Sequence, residues 1–143
     1  TANMGDSALV VIRAGVCVHE TEDMQYSFNA PYQLTTQPQS GYMMPANSKT
    51  TEFQVEAGDV VLVGSDGLFD NLFISDIAQV VAAQPSASSQ ELATQLKDIA
   101  MNVAKDKRAE SPFAQRAKAA GYFYEGGKPD DVSVVVARVM QRV

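Results

Sequence analysis

Aspartate residues stand at three separated turns of this 143-residue chain, each next to a segment that reads as a strand. Asp6 precedes the first apolar run, and Asp66 and Asp70 follow a later one. Asp130 lies in a Gly-Gly-Lys-Pro-Asp-Asp turn just before the last run. Carboxylates at the end of a buried strand are costly unless they are paired or bind a cation. Because all-oxygen ligands suit Mg²⁺ or Mn²⁺ better than zinc or copper, these positions are candidates for a hard-cation site.

A plainer interpretation is that these aspartates only stabilise turns, which Asp side chains often do. Residues 50–96 contain seven acidic residues and no lysine or arginine, and such a run usually forms a solvated face. An EF-hand calcium site is not expected, because Asp66-Gly67-Leu68 breaks the Asp-x-Asx spacing of such sites. His19 and Cys17 are single residues of their type and are read as incidental. On spacing alone, the cation site and the turn-stabilising role both remain open.

The segments that must position these aspartates have hydrophobic patterns that predict strands first, then helices, and then a final strand. The predicted strands are Ala8 to Ile12 and Val16 to His19, joined as a hairpin, then Thr51 to Val55, Val60 to Gly64 and Val132 to Met140. Val60 to Gly64 is apolar at every position, which predicts a central strand buried on both faces. A polar stretch from Gln33 to Lys49 reads as a long surface loop.

Three helices are predicted from capping residues and apolar spacing. The first is capped at Ser75-Asp76 and ends before Pro85, and the second begins with a capping box at Ser88. The third begins at Ser111-Pro112 and stops at Gly121. The order of elements predicts an α+β fold in which helices cover an antiparallel sheet.

Length and composition limit the classes of protein to which this chain can belong. The chain has the size of one domain, 45% apolar residues and no apolar run long enough to span a bilayer. A single cysteine excludes an internal disulfide, and the net charge of −6 argues against a nucleic-acid partner. The chain opens Thr1-Ala2-Asn3, with neither an initiator methionine nor a targeting segment. We therefore expect an interior segment of a longer protein.

Three motifs together carry a resemblance to a known family. Val63-Gly64-Ser65-Asp66-Gly67-Leu68-Phe69-Asp70 resembles the Asp-Gly-x-(Trp/Phe)-Asp motif of the metal-dependent protein serine/threonine phosphatases of the type 2C class. Asn3-Met4-Gly5-Asp6-Ser7 resembles their Asn-x-Gly-Asp-Ser motif, and Gly127-Lys128-Pro129-Asp130-Asp131-Val132-Ser133-Val134 resembles their closing Asp-(Asn/Asp)-x-Ser/Thr-Val motif. The segments Gln25 to Leu34 and Ser111 to Gln115 look like the mitochondrial and organellar branch of that family.

The resemblance implies a four-layer α-β-β-α sandwich with two antiparallel sheets, of which residues 1–143 would be the C-terminal part. It also implies phosphoserine and phosphothreonine proteins as substrates, and two or more Mg²⁺ or Mn²⁺ ions that activate the attacking water. Asp66 and Asp130 match acids that ligate the catalytic pair, and Asp6 and Asp70 match acids near a further ion. Asp131 is expected to support these ligands, and Gly67 to provide backbone geometry. No other catalytic side chain is expected in this segment.

The upstream motifs of the family, with further metal-binding acids, a phosphate-binding arginine and a histidine, have no counterpart here. The 143 residues alone are therefore expected to be inactive. The alternative is a non-catalytic pseudophosphatase or metal-binding regulatory module. A mitochondrial or other organellar location is expected by resemblance, with a cytoplasmic location as the alternative.

Overall fold

The computed structural model describes residues 1–34 and 44–141 of the chain. The strands are β1 (Ala2–Asn3), β2 (Ala8–Arg13), β3 (Val16–Glu20), β4 (Gln25–Ser27), β5 (Ala30–Pro31), β6 (Lys49–Thr50), β7 (Val60–Gly64) and β8 (Val134–Arg138). The helices are α1 (Asp66–Phe69), α2 (Ile74–Ala83), α3 (Ser89–Lys105) and α4 (Pro112–Ala119). Residues 35–43, most of the predicted loop from Gln33 to Lys49, lie outside the described residues.

Four strands form one antiparallel sheet in the order β3-β2-β7-β8. The hairpin between β2 and β3 turns at Ala14 and Gly15, both with positive φ. Two smaller antiparallel pairs, β1 with β6 and β4 with β5, stand beside this sheet. The predicted α+β fold with antiparallel sheets is confirmed.

Helices α1, α2 and α3 cover one face of the four-stranded sheet and close the hydrophobic core. The core residues that share this interface are Val10, Ile12, Val60, Leu62, Leu68, Phe69, Leu72, Ile77, Ala78, Val81, Leu96 and Ala100. Leu62 and Leu96 are fully buried, and burial of a leucine side chain stabilises the fold by about 2 kcal/mol. In the part of the chain that the structure describes, no helix is long and apolar enough to cross a membrane.

The opposite face of the sheet is only partly covered by the described residues: Val11 is buried there, but its neighbours toward β8 are not. Val63 of β7 is 41% exposed and Val135 of β8 is 64% exposed. The prediction that Val60 to Gly64 is buried on both faces is therefore wrong, although β7 is central in the sheet. The apolar pattern of β7 fits two buried faces, but among the described residues helices pack against only one of them.

Other boundaries differ from the sequence predictions. Thr51 to Val55 is not a strand: among the described residues, only Thr51 exchanges backbone hydrogen bonds with a neighbouring segment, at Thr1. The ring of Phe53 stacks on His19 with centroids 4.7 Å apart. Helix α2 begins at Ile74 with Phe73 as its N-cap, ahead of the predicted cap at Ser75-Asp76.

The other two predicted helix starts are confirmed. Ser88 and Glu91 form the expected capping box of α3, and Ser111 accepts the cap hydrogen bond of α4. The final strand is shorter than predicted, because β8 covers only Val134–Arg138.

Candidate metal centre

The register of the sheet brings the three aspartate-bearing turns to one end. Ala8 of β2 pairs with Gly64 of β7, and Gly64 pairs with Val134 of β8. Antiparallel neighbours alternate in direction, so the start of β2, the end of β7 and the start of β8 lie at the same end of the sheet. Asp6 stands two residues before the start of β2, and Asp66 stands two residues after the end of β7.

The Asp66 turn and the Asp130 turn are in direct contact. Ser65 Oγ donates to the carbonyl of Asp131 at 3.2 Å and accepts from the backbone N–H of Ser133 at 3.1 Å. A methyl group built at Gly67 would lie 2.3 Å from that same Asp131 carbonyl oxygen. Only glycine at position 67 allows this approach, so Gly67 contributes backbone geometry here.

The carboxylates converge on one cation of the chain itself, the ammonium of Lys128. Its Nζ lies 2.6 Å from Asp70 Oδ2, 3.0 Å from Asp66 Oδ2 and 3.4 Å from Asp130 Oδ2. The Lys128 side chain is only 16% exposed. Burial would lower the pKa of Lys128, but hydrogen bonds to Asp70 and Asp66 outweigh that effect and raise it. The acid cluster, defined as Asp66, Asp70 and Asp130, therefore surrounds the charged form of Lys128.

Asn71 fixes the two turns that carry this cluster. Its side-chain amide donates to the carbonyls of Gly67 and Lys128, both at 2.9 Å, and accepts from the backbone N–H of Lys128 at 2.9 Å. The residue is 1% exposed, so water does not compete for these bonds. Asn71 thus locks the Lys128 backbone to helix α1.

Asp70 is the most deeply buried acid of the cluster, at 5% exposed. Burial raises its pKa, while the hydrogen bond and charge of Lys128 and the charge of Arg116 act in the opposite direction. Arg116 of α4 forms an ion pair with the second oxygen of Asp70. The carboxylate is therefore held between two cations on different elements.

Asp6 lies beside the cluster, at the rim of a cavity of about 290 Å³ that Asp23, Asp70 and Arg116 also line. Burial is the largest cause that raises the pKa of Asp6, and the nearby charge of Asp66 is the next. Asp23 behaves similarly, since burial raises its pKa against the lowering effect of Arg116. A bound cation would relieve the repulsion between Asp6 and Asp66.

The donor set suits a hard divalent cation. All four predicted metal-binding residues, Asp6, Asp66, Asp70 and Asp130, lie at the same end of the sheet and offer only carboxylate oxygens. As placed, no three such side chains within residues 1–34 and 44–141 form a ready-made metal-binding group, and Lys128 stands between the acids instead. These carboxylates suit Mg²⁺ or Mn²⁺ as ligands, and in this structure the ammonium of Lys128 neutralises part of their negative charge.

Asp131 contributes differently from the other acids. Its side chain is exposed, and its carbonyl oxygen, not its carboxylate, contacts Ser65 and faces Gly67. Its backbone N–H donates to Asp130 Oδ1 at 2.8 Å and so orients that carboxylate.

Sequence reasoning missed three residues of the site: Asn71, Arg116 and Lys128. Lys128 stands inside the Gly-Gly-Lys-Pro-Asp-Asp turn, and a lone lysine between two glycines and two acids was an available signal. Arg116 gave no such signal, because it lies on a helix more than 40 residues from Asp70 in sequence.

Comparison with known proteins gives a consistent set of relatives, although no family model matches the chain. This chain is 37% identical over 149 residues to the human protein named "Protein phosphatase PTC7 homolog", and the match covers 99% of this chain and 49% of the relative. It is 37% identical over 143 residues to "Probable protein phosphatase 2C 80" of Arabidopsis thaliana, covering 96% of this chain and 33% of that protein. The chain therefore spans about half the length, or less, of these curated relatives.

Solved structures agree with this result. The crystal structure of the photosystem II phosphatase PBCP matches with a TM-score of 0.87 and 30% identity, over 96% of this chain and 57% of that one. The serine/threonine phosphatase PstP of Mycobacterium tuberculosis matches with a TM-score of 0.56 at 23% identity, which supports the fold alone.

Proposed function

We propose, from the relationship of this chain to the type 2C protein phosphatases over nearly its whole length, that it is part of a metal-dependent protein serine/threonine phosphatase. The substrates would be proteins that carry phosphoserine or phosphothreonine. The observation that carries the proposal is the convergence of Asp66, Asp70 and Asp130 on a single cation position, with Asp6 beside them.

In this proposal Asp66 and Asp130 bind the two catalytic metal ions, and Asp6 and Asp70 bind a further metal ion nearby. The ions would be Mg²⁺ or Mn²⁺, and when bound they supply charge neutralisation for the phosphate and an activated water. Other residues of this chain would hold the metal-binding acids in position. Gly67 allows the two turns to touch, Asn71 locks them together, and the backbone of Asp131 orients Asp130.

The domain to which these residues belong is proposed to extend beyond them, because the relatives are about twice as long or longer. The partly covered face of the sheet, with Val63 and Val135 exposed, supports this idea because apolar strand faces normally pack against another layer. In such a protein the residues 1–143 would be the C-terminal part of the catalytic domain. Alone they would be inactive, because the remaining metal and phosphate ligands would come from the other part.

An organellar location is also proposed for the protein. It rests on the resemblance of Gln25 to Leu34 and Ser111 to Gln115 to the organellar branch, and on the relatives named PTC7.

The test is Mn²⁺-dependent phosphate release from a phosphothreonine peptide by the intact protein that contains this chain. Asp66→Asn and Asp130→Asn should each abolish release, since each replaces a charged ligand with a neutral amide. Asp98→Asn is the matched control, because Asp98 is an exposed acid of α3 that pairs only with Lys97 among the described residues. If the folded intact protein binds Mn²⁺ but releases no phosphate, it is a regulatory module and not an enzyme.

A further inference from the structure

The ammonium of Lys128 lies among the carboxylates that would hold a divalent cation. Its ammonium makes ion pairs with Asp66, Asp70 and Asp130 at 3.0, 2.6 and 3.4 Å. It lies 3.3 Å from Asn29 Oδ1 as well. An ammonium and a metal ion cannot both stand at these distances from the same oxygens, because like charges repel strongly in a partly buried site.

The backbone of Lys128 cannot retreat to make room. Asn71 holds both its N–H and its carbonyl at 2.9 Å. The preceding Gly127 packs so closely on α3 that an added methyl group would lie 2.0 Å from the carbonyl oxygen of Val103. The acids would therefore be freed by rotation of the Lys128 side chain and not by movement of the loop.

The ammonium of Lys128 has two partners besides the acids. Nζ lies 5.0 Å from the centroid of the Phe113 ring, and Asn29 Oδ1 accepts on the same side of the cluster. A lysine ammonium gains from a nearby aromatic face, which is not a ligand for Mg²⁺ or Mn²⁺, and from an amide oxygen. The acids are thus not the only groups that hold this ammonium.

We infer that Lys128 is a built-in competitor for the divalent cation: its ammonium neutralises Asp66, Asp70 and Asp130 when no metal is bound, and must be displaced when metal enters. The inference rests on the proposed function for the identity of the cation. It makes Lys128 a residue that sets the metal concentration at which the site fills. It also gives the metal-free protein a stable acid cluster, since the three carboxylates keep a counter-ion.

The experiment measures Mn²⁺ binding to the intact protein by isothermal titration calorimetry, with no substrate present. Lys128→Met removes the charge and keeps an unbranched side chain over Phe113. The dissociation constant for Mn²⁺ should fall by about tenfold or more, because the competing charge is gone. Lys128→Arg keeps the charge and should bind Mn²⁺ as the wild type does. Lys118→Met, on the exposed surface of α4, removes an equal charge that forms no ion pair with the acid cluster and should change nothing.

A second measurement protects the test against a folding defect. Thermal unfolding in EDTA should show Lys128→Met melting below the wild type, since its acids have lost their counter-ion. With saturating Mn²⁺ the two melting temperatures should approach each other. Unchanged or weaker Mn²⁺ binding by Lys128→Met would overturn the inference, because Lys128 would then be a structural residue or a helper of the metal.

The outcomes separate this inference from the proposed function. If Lys128→Met tightens Mn²⁺ binding but the wild type releases no phosphate, the competitor role stands and the enzyme assignment fails. If phosphate release depends on Asp66 and Asp130 but Lys128→Met does not tighten binding, the enzyme assignment stands and the competitor role fails.

Discussion

Gly67→Ala probes the contact between the two turns that carry the acid cluster. Gly67 is the second residue of helix α1, and its φ lies in the ordinary helical range, so alanine meets no backbone strain there. The new methyl group would instead meet the Asp131 carbonyl, with its oxygen at 2.3 Å and its carbon at 3.0 Å. Ordinary van der Waals contact begins at 3.4 Å, so the Asp131 backbone must retreat by about 1 Å.

The size of the effect follows from two opposing contributions. Overpacking of a well-packed site costs about 1–3 kcal/mol, and the upper end applies because the obstructing atom is backbone held by Ser65. Alanine has a higher helix propensity than glycine, and this difference offsets up to about 1 kcal/mol of the overpacking cost. The expected net loss is about 2 kcal/mol in the free energy of unfolding, or about a 30-fold change in the folding equilibrium.

Urea denaturation of the intact protein measures this loss as a lower midpoint with an unchanged slope. Gly121→Ala is the control, since a methyl group there meets nothing within 4 Å, although φ is +84°. It should cost only about 1 kcal/mol, from the left-handed backbone alone. Calorimetric Mn²⁺ binding should weaken in Gly67→Ala and stay unchanged in Gly121→Ala. A Gly67→Ala protein within about 0.5 kcal/mol of the wild type would refute the reasoning from this contact.

Two further predictions concern buried polar groups. Asn71→Ala leaves the Lys128 N–H and two carbonyls without their partner, and should lower the free energy of unfolding by about 3 kcal/mol in urea denaturation; a loss below about 1 kcal/mol would contradict the locking role. Arg13 donates to both oxygens of Asp59 at 2.8 Å and holds the pKa of Asp59 at about 2, below the ordinary 3.8. A carboxyl group with a lowered pKa stabilises the fold above its unfolded pKa and loses that contribution as pH falls through the folded value. The difference in melting temperature between wild type and Asp59→Asn should therefore be constant near neutral pH and shrink between pH 3.8 and pH 2. A difference that persists unchanged at pH 2 would argue against the ion pair as its source.

Much of the fold was predictable because the local signals are strong. The capping box at Ser88 and the Ser111-Pro112 cap are chemical signatures of a helix start, and both helices begin where predicted. The relatives confirm the family resemblance that three ordered motifs indicated. Motifs of this kind combine residue type, spacing and order, so they carry more information than any single aspartate.

The failures come from information that a sequence does not contain locally. Thr51 to Val55 alternates like a strand, but a strand also needs a neighbour along its length, and among the described residues only Thr51 has one, at Thr1. Helix α1 has four residues, too few for a helical period to show. Exposure of Val63 depends on what packs against the sheet, which its own sequence cannot specify.

The aspartates of the site were predictable, whereas their counter-ions were not. Asp66 and Asp130 could be placed at strand ends from hydrophobic patterns alone. Lys128 and Arg116 reach the acids only because α4 and the last turn fold back over α1, which is a tertiary contact between distant segments.

The order of synthesis gives the Lys128 turn a further consequence. A ribosome exposes Asp6 first, then Asp66 and Asp70, and the turn with Lys128 and Asp130 last. Until that turn arrives, the carboxylates of the earlier segments are free to remain hydrated. The last turn then delivers an acid and its neutralising base together, two residues apart. When this turn packs against α1, it covers Asp70 and brings Lys128 to it in the same step.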